Sequence, residues 1–346
     1  MRVLSAAEAI TPAIDRAKAL LQPFVLGRWL KLGLVALIAE MSGQFAFPPV
    51  GGSQPRHHFD MPLSGAVGEA AILGIALIVV LGLIVSLVLF YLGSRMQLVL
   101  MDLVATRTTL VAPAWHRTAS RTWRWIGLKV VFFIAACAVI GALGAVSIIF
   151  FIRLMPAGNH QPPSAAFFGS FALFFVAILL AVFLVVTVFW FLRDFVLPFI
   201  LFGDARPGDA LRNAIDIARR EPGGVFFYFF MKFVLMLVAG IAGELCFVLA
   251  VLAFGIPTGA IGTAMWFLLR HSGFVVRTLM YGGFALLGVI FLTGMVCSIL
   301  CISAVVLIFY QSYALYFLGG RYPQLGNLLE PPPPPMMAPE PLLNPS

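Results

Sequence analysis

The stretch 66-AVGEAAILGIALIVVLGLIVSLVLFYLG-93 decides the fold: 28 residues hold one charge, Glu69, near the start. A bilayer core of about 30 Å needs about 20 mainly apolar residues in a helix, so this segment is long enough to cross one. Five further stretches meet the same length: 27–46, 125–152, 167–200, 224–253 and 278–316. The fold class that follows is all-α, a polytopic transmembrane bundle of about six spanning helices with amphipathic cytoplasmic helices. The chain divides into a cytoplasmic amphipathic segment 1–26, a transmembrane domain 27–320 and a Pro-rich tail 321–346.

Composition agrees with that reading. Of 346 residues, 62% are hydrophobic and 10% charged, and the mean hydropathy is +1.04. Soluble domains hold about 25% charged residues, so this chain has too few to cover a wet surface. The net charge of +8 is no nucleic-acid footprint, because its cations gather at the ends of the apolar runs. With the N-terminus inside, the inner flanks hold 18 of the 22 Lys and Arg. Arg56, Arg153, Arg270 and Arg277 are left outside. The positive-inside rule then puts both termini in the cytoplasm and the protein in the plasma (inner) membrane. No cleavable signal peptide is read, since the first apolar run begins only near Trp29.

Local punctuation sharpens the elements. Ser5-x-x-Glu8 is a capping-box pattern, Thr11-Pro12 offers a helix restart, and Pro23 halts the segment. Asp209 is expected to cap a helix through Arg220, with Arg212–Asp216 and Asp216–Arg220 as i,i+4 pairs. Gly255-Ile256-Pro257 is expected to end the fifth span, which leaves 256–277 re-entrant or interfacial. Kinks are expected at Pro198, Gly282, Gly283, Gly288 and Gly294 in the two overlong spans. The odd helices are each entered through aromatic and basic residues, as in Trp123-Arg124-Trp125 with Lys129 and Phe226–Phe230 with Lys232. Start points about 100 residues apart suit three repeated hairpins, although aromatic belts alone produce the same pattern. After Glu330, the run Pro331–Pro335 dictates an extended tail.

Chemistry-bearing residues are few. An ionisable side chain inside a membrane costs at least ~2.5 kcal/mol and is a functional candidate by default. Glu40, Glu69 and Glu244 fit that description and are placed in the outer half. There three readings stand: convergence on Arg270 or Arg277, a cavity holding a cation or polar substrate, or plain interfacial placement and structural pairing. Arg193 and Asp194, neighbours before Pro198, point to separate partners at the cytoplasmic face. His57, His58 and Asp60 offer ligand types without the fixed spacing of a metal site. Cys137, Cys246, Cys297 and Cys301 lie in apolar runs, as small packing residues do. Cys137, Gly141 and Ala145 form a small-xxx-small face suited to close helix approach, within the bundle or in an oligomer. No HExxH, GxSxG, GxxxxGK[ST] or GxGxxG occurs. No catalytic, cofactor or metal set is therefore expected.

The stretch Gln22-Pro23-Phe24-Val25-Leu26-Gly27-Arg28-Trp29-Leu30-Lys31-Leu32-Gly33 resembles an uncharacterised group of prokaryotic multi-pass membrane proteins. Asp194-Phe195-Val196-Leu197-Pro198-Phe199, running into 203–221, is similar to the same group. More distantly, the layout resembles the membrane domain attached to some glycerophosphoryl diester phosphodiesterases. That resemblance implies a fold but no reaction, because no phosphodiesterase catalytic domain fits in the chain. The function expected is a non-enzymatic, transporter-like, lipid-binding or partner-binding bundle. The alternative is a membrane enzyme, or a membrane subunit of one, acting on lipid head groups through Asp194 and the cytoplasmic arginines. The partners expected are the bilayer and a second copy or another membrane protein, with no nucleic acid.

Overall fold

The computed structural model describes residues 2–44, 66–154, 165–269 and 273–330. Those residues are helical, with no strand among them. The chain runs α1 (Ile10–Leu21), α2 (Leu26–Gln44), α3 (Ala66–Thr106), α4 (Val111–Arg117), α5 (Ala119–Leu154) and α6 (Ala165–Phe191). One π-helical turn, Leu192–Val196, leads into α7 (Leu197–Phe202). Then come α8 (Pro207–Arg220), α9 (Pro222–Leu269), α10 (Phe274–Gly319) and α11 (Pro323–Leu329).

Five of these helices, α3, α5, α9, α10 and the continuous stretch through α6 and α7, contain runs long and apolar enough to cross a membrane. The first expected span, α2, has 19 residues and carries Arg28, Lys31 and Glu40. The most apolar stretches of α3 and α9 have 0% of their residues buried in the molecule, and Leu73 is 71% exposed. Monomeric soluble proteins rarely expose apolar patches beyond a few hundred Å², so this is the surface of a membrane protein.

The packed core gathers at one end. It is built from Leu98–Ala105 of α3, Leu192–Leu201 around the π turn and Tyr313–Leu318 of α10. Helix α1 completes it with Ala13, Ala17, Leu20 and Leu21, an alanine-rich face that lets the helix lie close. Its buried Arg16 donates to the carbonyls of Val104 and Ala105, which the end of α3 leaves without helical partners. Both ends of the described chain meet here: Arg321 donates to the Leu4 carbonyl at 3.1 Å. We call this the polar end. From it the helix pairs α2–α3, α5–α6 and α9–α10 extend, and α2 also packs along α10.

Several sequence expectations change. Helix α9 does not stop at Pro257 but runs to Leu269, so 256–269 is neither re-entrant nor a separate interfacial helix. Two causes are visible. The Thr258 hydroxyl donates to the Phe254 carbonyl at 2.6 Å, adding a bond where proline removes one. The extension also packs on α10, with Phe254 over Gly294 and Met265 over Gly283. For the same reason α10 is unbroken through its glycines. Pro198 acts differently: the π turn precedes it and absorbs the backbone mismatch. In α8, Pro207 takes the first helical position and Arg206 the cap, so Asp209 lies in the first turn and is not the cap. The Arg212–Asp216 and Asp216–Arg220 pairs do not close. Glu221 instead binds Arg321 at 2.7 Å, and Asp204 binds Arg124 at 2.8 Å. The capping box forms as written, Ser5 N to Glu8 Oε2 at 2.9 Å and Glu8 N to Ser5 Oγ at 3.2 Å.

Candidate functional site

The π turn positions the most polar residues of the interior. Arg193 and Asp194 lie one after the other in it, both buried, and are aimed at different helices. Arg193 Nη1 donates to Glu40 Oε2 of α2 at 2.6 Å. Asp194 Oδ2 is held by the ammonium of Lys232 and accepts from the Tyr228 hydroxyl at 2.9 Å, both on α9. The single π turn therefore ties α2 to α9. The partner of Glu40 among the described residues is thus Arg193 of the π turn. Glu40 lies level with a residue at the polar end. The Trp29 indole, from the start of the same helix, donates its Nε1 proton to the Leu21 carbonyl at 2.8 Å, within the polar-end packing.

A third basic side chain joins from α5. The Lys129 ammonium donates to Ser94 Oγ at 3.2 Å and stands 5.3 Å from the Trp125 ring centre. The Trp125 indole donates to Gln97 Oε1 at 3.0 Å, and Gln97 donates to the Ala39 carbonyl at 2.9 Å, beside Glu40. Counting Glu40, Asp194, Arg193, Lys232 and Lys129, two carboxylates face three cations in a small volume. The aromatic layer around them includes Tyr313, stacked 5.1 Å from Tyr228 with its hydroxyl buried and without a hydrogen-bond partner. Sequence reasoning missed Lys129, Lys232 and Tyr228 as site residues. A signal was available: both lysines follow the aromatic entry of an odd-numbered span, at matching positions in two hairpins.

A groove of about 470 Å³ opens beside this network between α2, α9 and α10. Its wall is apolar along Leu37, Met236, Phe247 and Ile302, and it holds two carboxylates, Glu40 and Glu244. Glu40 thus faces two ways, with one oxygen on Arg193 and a side chain still 35% exposed toward the groove. Glu244 is exposed, with no described side chain paired to it. Gly240 and Gly243 keep the α9 wall low. The Tyr310 hydroxyl is engaged, donating to the Leu235 carbonyl at 3.0 Å. The nearest buried acid, Asp194, is 4% exposed, and its Oδ2 is shared between Lys232 and Tyr228.

The remaining candidates stay apart. The side chains of Glu69 and Arg277, and all of Arg270, His57, His58 and Asp60, lie outside the described residues. Cys137 and Cys246 are exposed, Cys297 and Cys301 half-buried, and all four are free. The first two therefore face outward instead of filling the core. The face of Cys137, Gly141 and Ala145 is exposed too, with open space around Gly141.

Residues 4–328 match the model of a family of unknown function, DUF7544. No curated protein and no solved structure matches the chain. The likeness to the membrane domain of glycerophosphoryl diester phosphodiesterases gains no support from these comparisons.

Proposed function

This chain belongs to the DUF7544 family, whose function is unknown, and from that premise we propose a non-enzymatic, transporter-like bundle that holds a membrane-borne molecule. One observation carries the reading: an apolar groove of ligand size with carboxylates in its wall, formed where three helices meet. We place the protein across the plasma membrane as a multi-pass bundle with a cytoplasmic segment 1–26, six spans in 27–320 and a cytoplasmic tail 321–346. Parity supports six. The contact of Leu4 with Arg321 at one end of the bundle supports an even number of crossings, with α2 added to the five apolar helices. The 18 Lys and Arg on the inner flanks support a cytoplasmic polar end.

The enzymatic alternative requires Asp194 to reach a lipid head group. Its ion pair with Lys232, its bond from Tyr228 and its burial argue against that. Native mass spectrometry of the detergent-released chain tests the proposal. Retained lipid-sized adducts are expected, and they should be lost in Gly240→Leu, whose new side chain enters the groove without meeting a neighbour within 4 Å at Cβ. Lipid turnover by the native chain in reconstituted vesicles, lost in Asp194→Asn protein that still elutes as a folded species, would establish the enzyme instead.

A further inference from the structure

We infer that the groove takes a lipophilic amine: a molecule with one cationic nitrogen and an apolar body. This rests on the groove being the binding site. The class follows from the unequal state of its two acids. Glu40 is already neutralised by Arg193 at 2.6 Å, and the three cations of the network stand behind it. Glu244 has no described counter-charge and lies on the same wall. An anionic ligand would approach two carboxylates, one of them unpaired, and is repelled. A neutral ligand leaves Glu244, the exposed acid of an otherwise apolar wall, without a counter-charge. An ammonium group supplies the missing charge while its apolar body lies along the wall.

The groove's length fits the rest of the molecule. The residues it uses on α9 run from Met236 to Phe247, eleven steps or about 16 Å of helix. That matches an alkyl chain of moderate length lying along Ala239, Gly243 and Ile302 with its nitrogen beside Glu244. Met41 and Met236 flank the path, and their unbranched thioethers adapt to chains of differing shape. Glu40 marks the far wall, where Arg193 keeps the positive end of the ligand from sliding toward the polar network. Glu244 is thus the counter-ion and Glu40 a positioning residue.

The test uses two photoactivatable probes of the same chain length, a diazirine-bearing alkyl amine and the corresponding alcohol. Full-length protein is reconstituted in phosphatidylcholine nanodiscs, and labelled residues are mapped by mass spectrometry. The amine should label the α9 and α10 walls at least tenfold more strongly than the alcohol. Glu244→Gln, an exposed near-isostere, should abolish that preference while leaving alcohol labelling of the groove intact. Equal labelling by both probes in the native chain would overturn the cationic class while the groove remains a binding site. No groove labelling by either probe, in protein that keeps its native thermal unfolding, would overturn both readings.

Discussion

The residues that hold the interior together are charged, and their worth lies in being paired. Lys232 and Asp194 are 7% and 4% exposed. Removing one partner strands the other in an apolar surround. Asp194→Asn should therefore lower stability by about 3 kcal/mol, whereas Asp194→Leu combined with Lys232→Met should recover most of the loss. Denaturant unfolding in detergent micelles measures both. At the surface, Ser5 holds the Glu8 carboxyl below the usual carboxylate range through its backbone and side-chain hydrogen bonds. A carboxylate whose folded pKa lies below its unfolded one stabilises the fold above the unfolded value. That contribution fades as pH falls through the folded one. Amide protection across residues 5–9, corrected for intrinsic exchange, should thus fall below about pH 4, and Glu8→Gln, which removes the titrating group, should abolish that pH dependence. The capping box was legible in sequence because its partners are three residues apart. The Glu40–Arg193 pair was not, because its partners are 153 residues apart.

Among the helices, two small-residue positions look alike in sequence and behave differently in the fold. Gly33 of α2 crosses α10 so closely that a Cβ there would meet the Leu300 carbonyl carbon at 2.7 Å. Gly33→Val should cost about 1–3 kcal/mol and loosen the α2–α10 contact that forms one side of the groove. Gly141 of α5 has open space where a Cβ would stand. Gly141→Ile should leave the unfolding of the isolated chain within about 0.5 kcal/mol of native. A shift to smaller particles in Gly141→Ile, read by light scattering, would identify that face as an oligomer contact. The small-xxx-small pattern identified a face made for close approach, but only packing tells whether the approaching helix belongs to this chain. Pro257 and Pro198 teach the same lesson. One lies within an unbroken helix packed on a neighbour, and the other follows a π turn at the most polar point of the interior.

For the whole molecule, orientation is the question that experiment reaches most directly. Lys18 and Asn327 are exposed at the polar end. With the native cysteines replaced, Lys18→Cys and Asn327→Cys should both react with an impermeant maleimide in inside-out vesicles and neither in right-side-out ones. Opposite labelling of the two would break the even count of spans. The sequence by itself determined that this is an all-helical membrane protein and roughly where its apolar helices lie. Hydropathy is a sum over adjacent residues and needs no knowledge of neighbours. The tertiary structure alone decided which end is packed, that α9 continues past its proline, and that Glu40 meets Arg193 beside a groove shared with Glu244. Lipid and protein interior are both apolar, so a helix face bound for either carries the same residues. Only the arrangement of the other helices tells them apart.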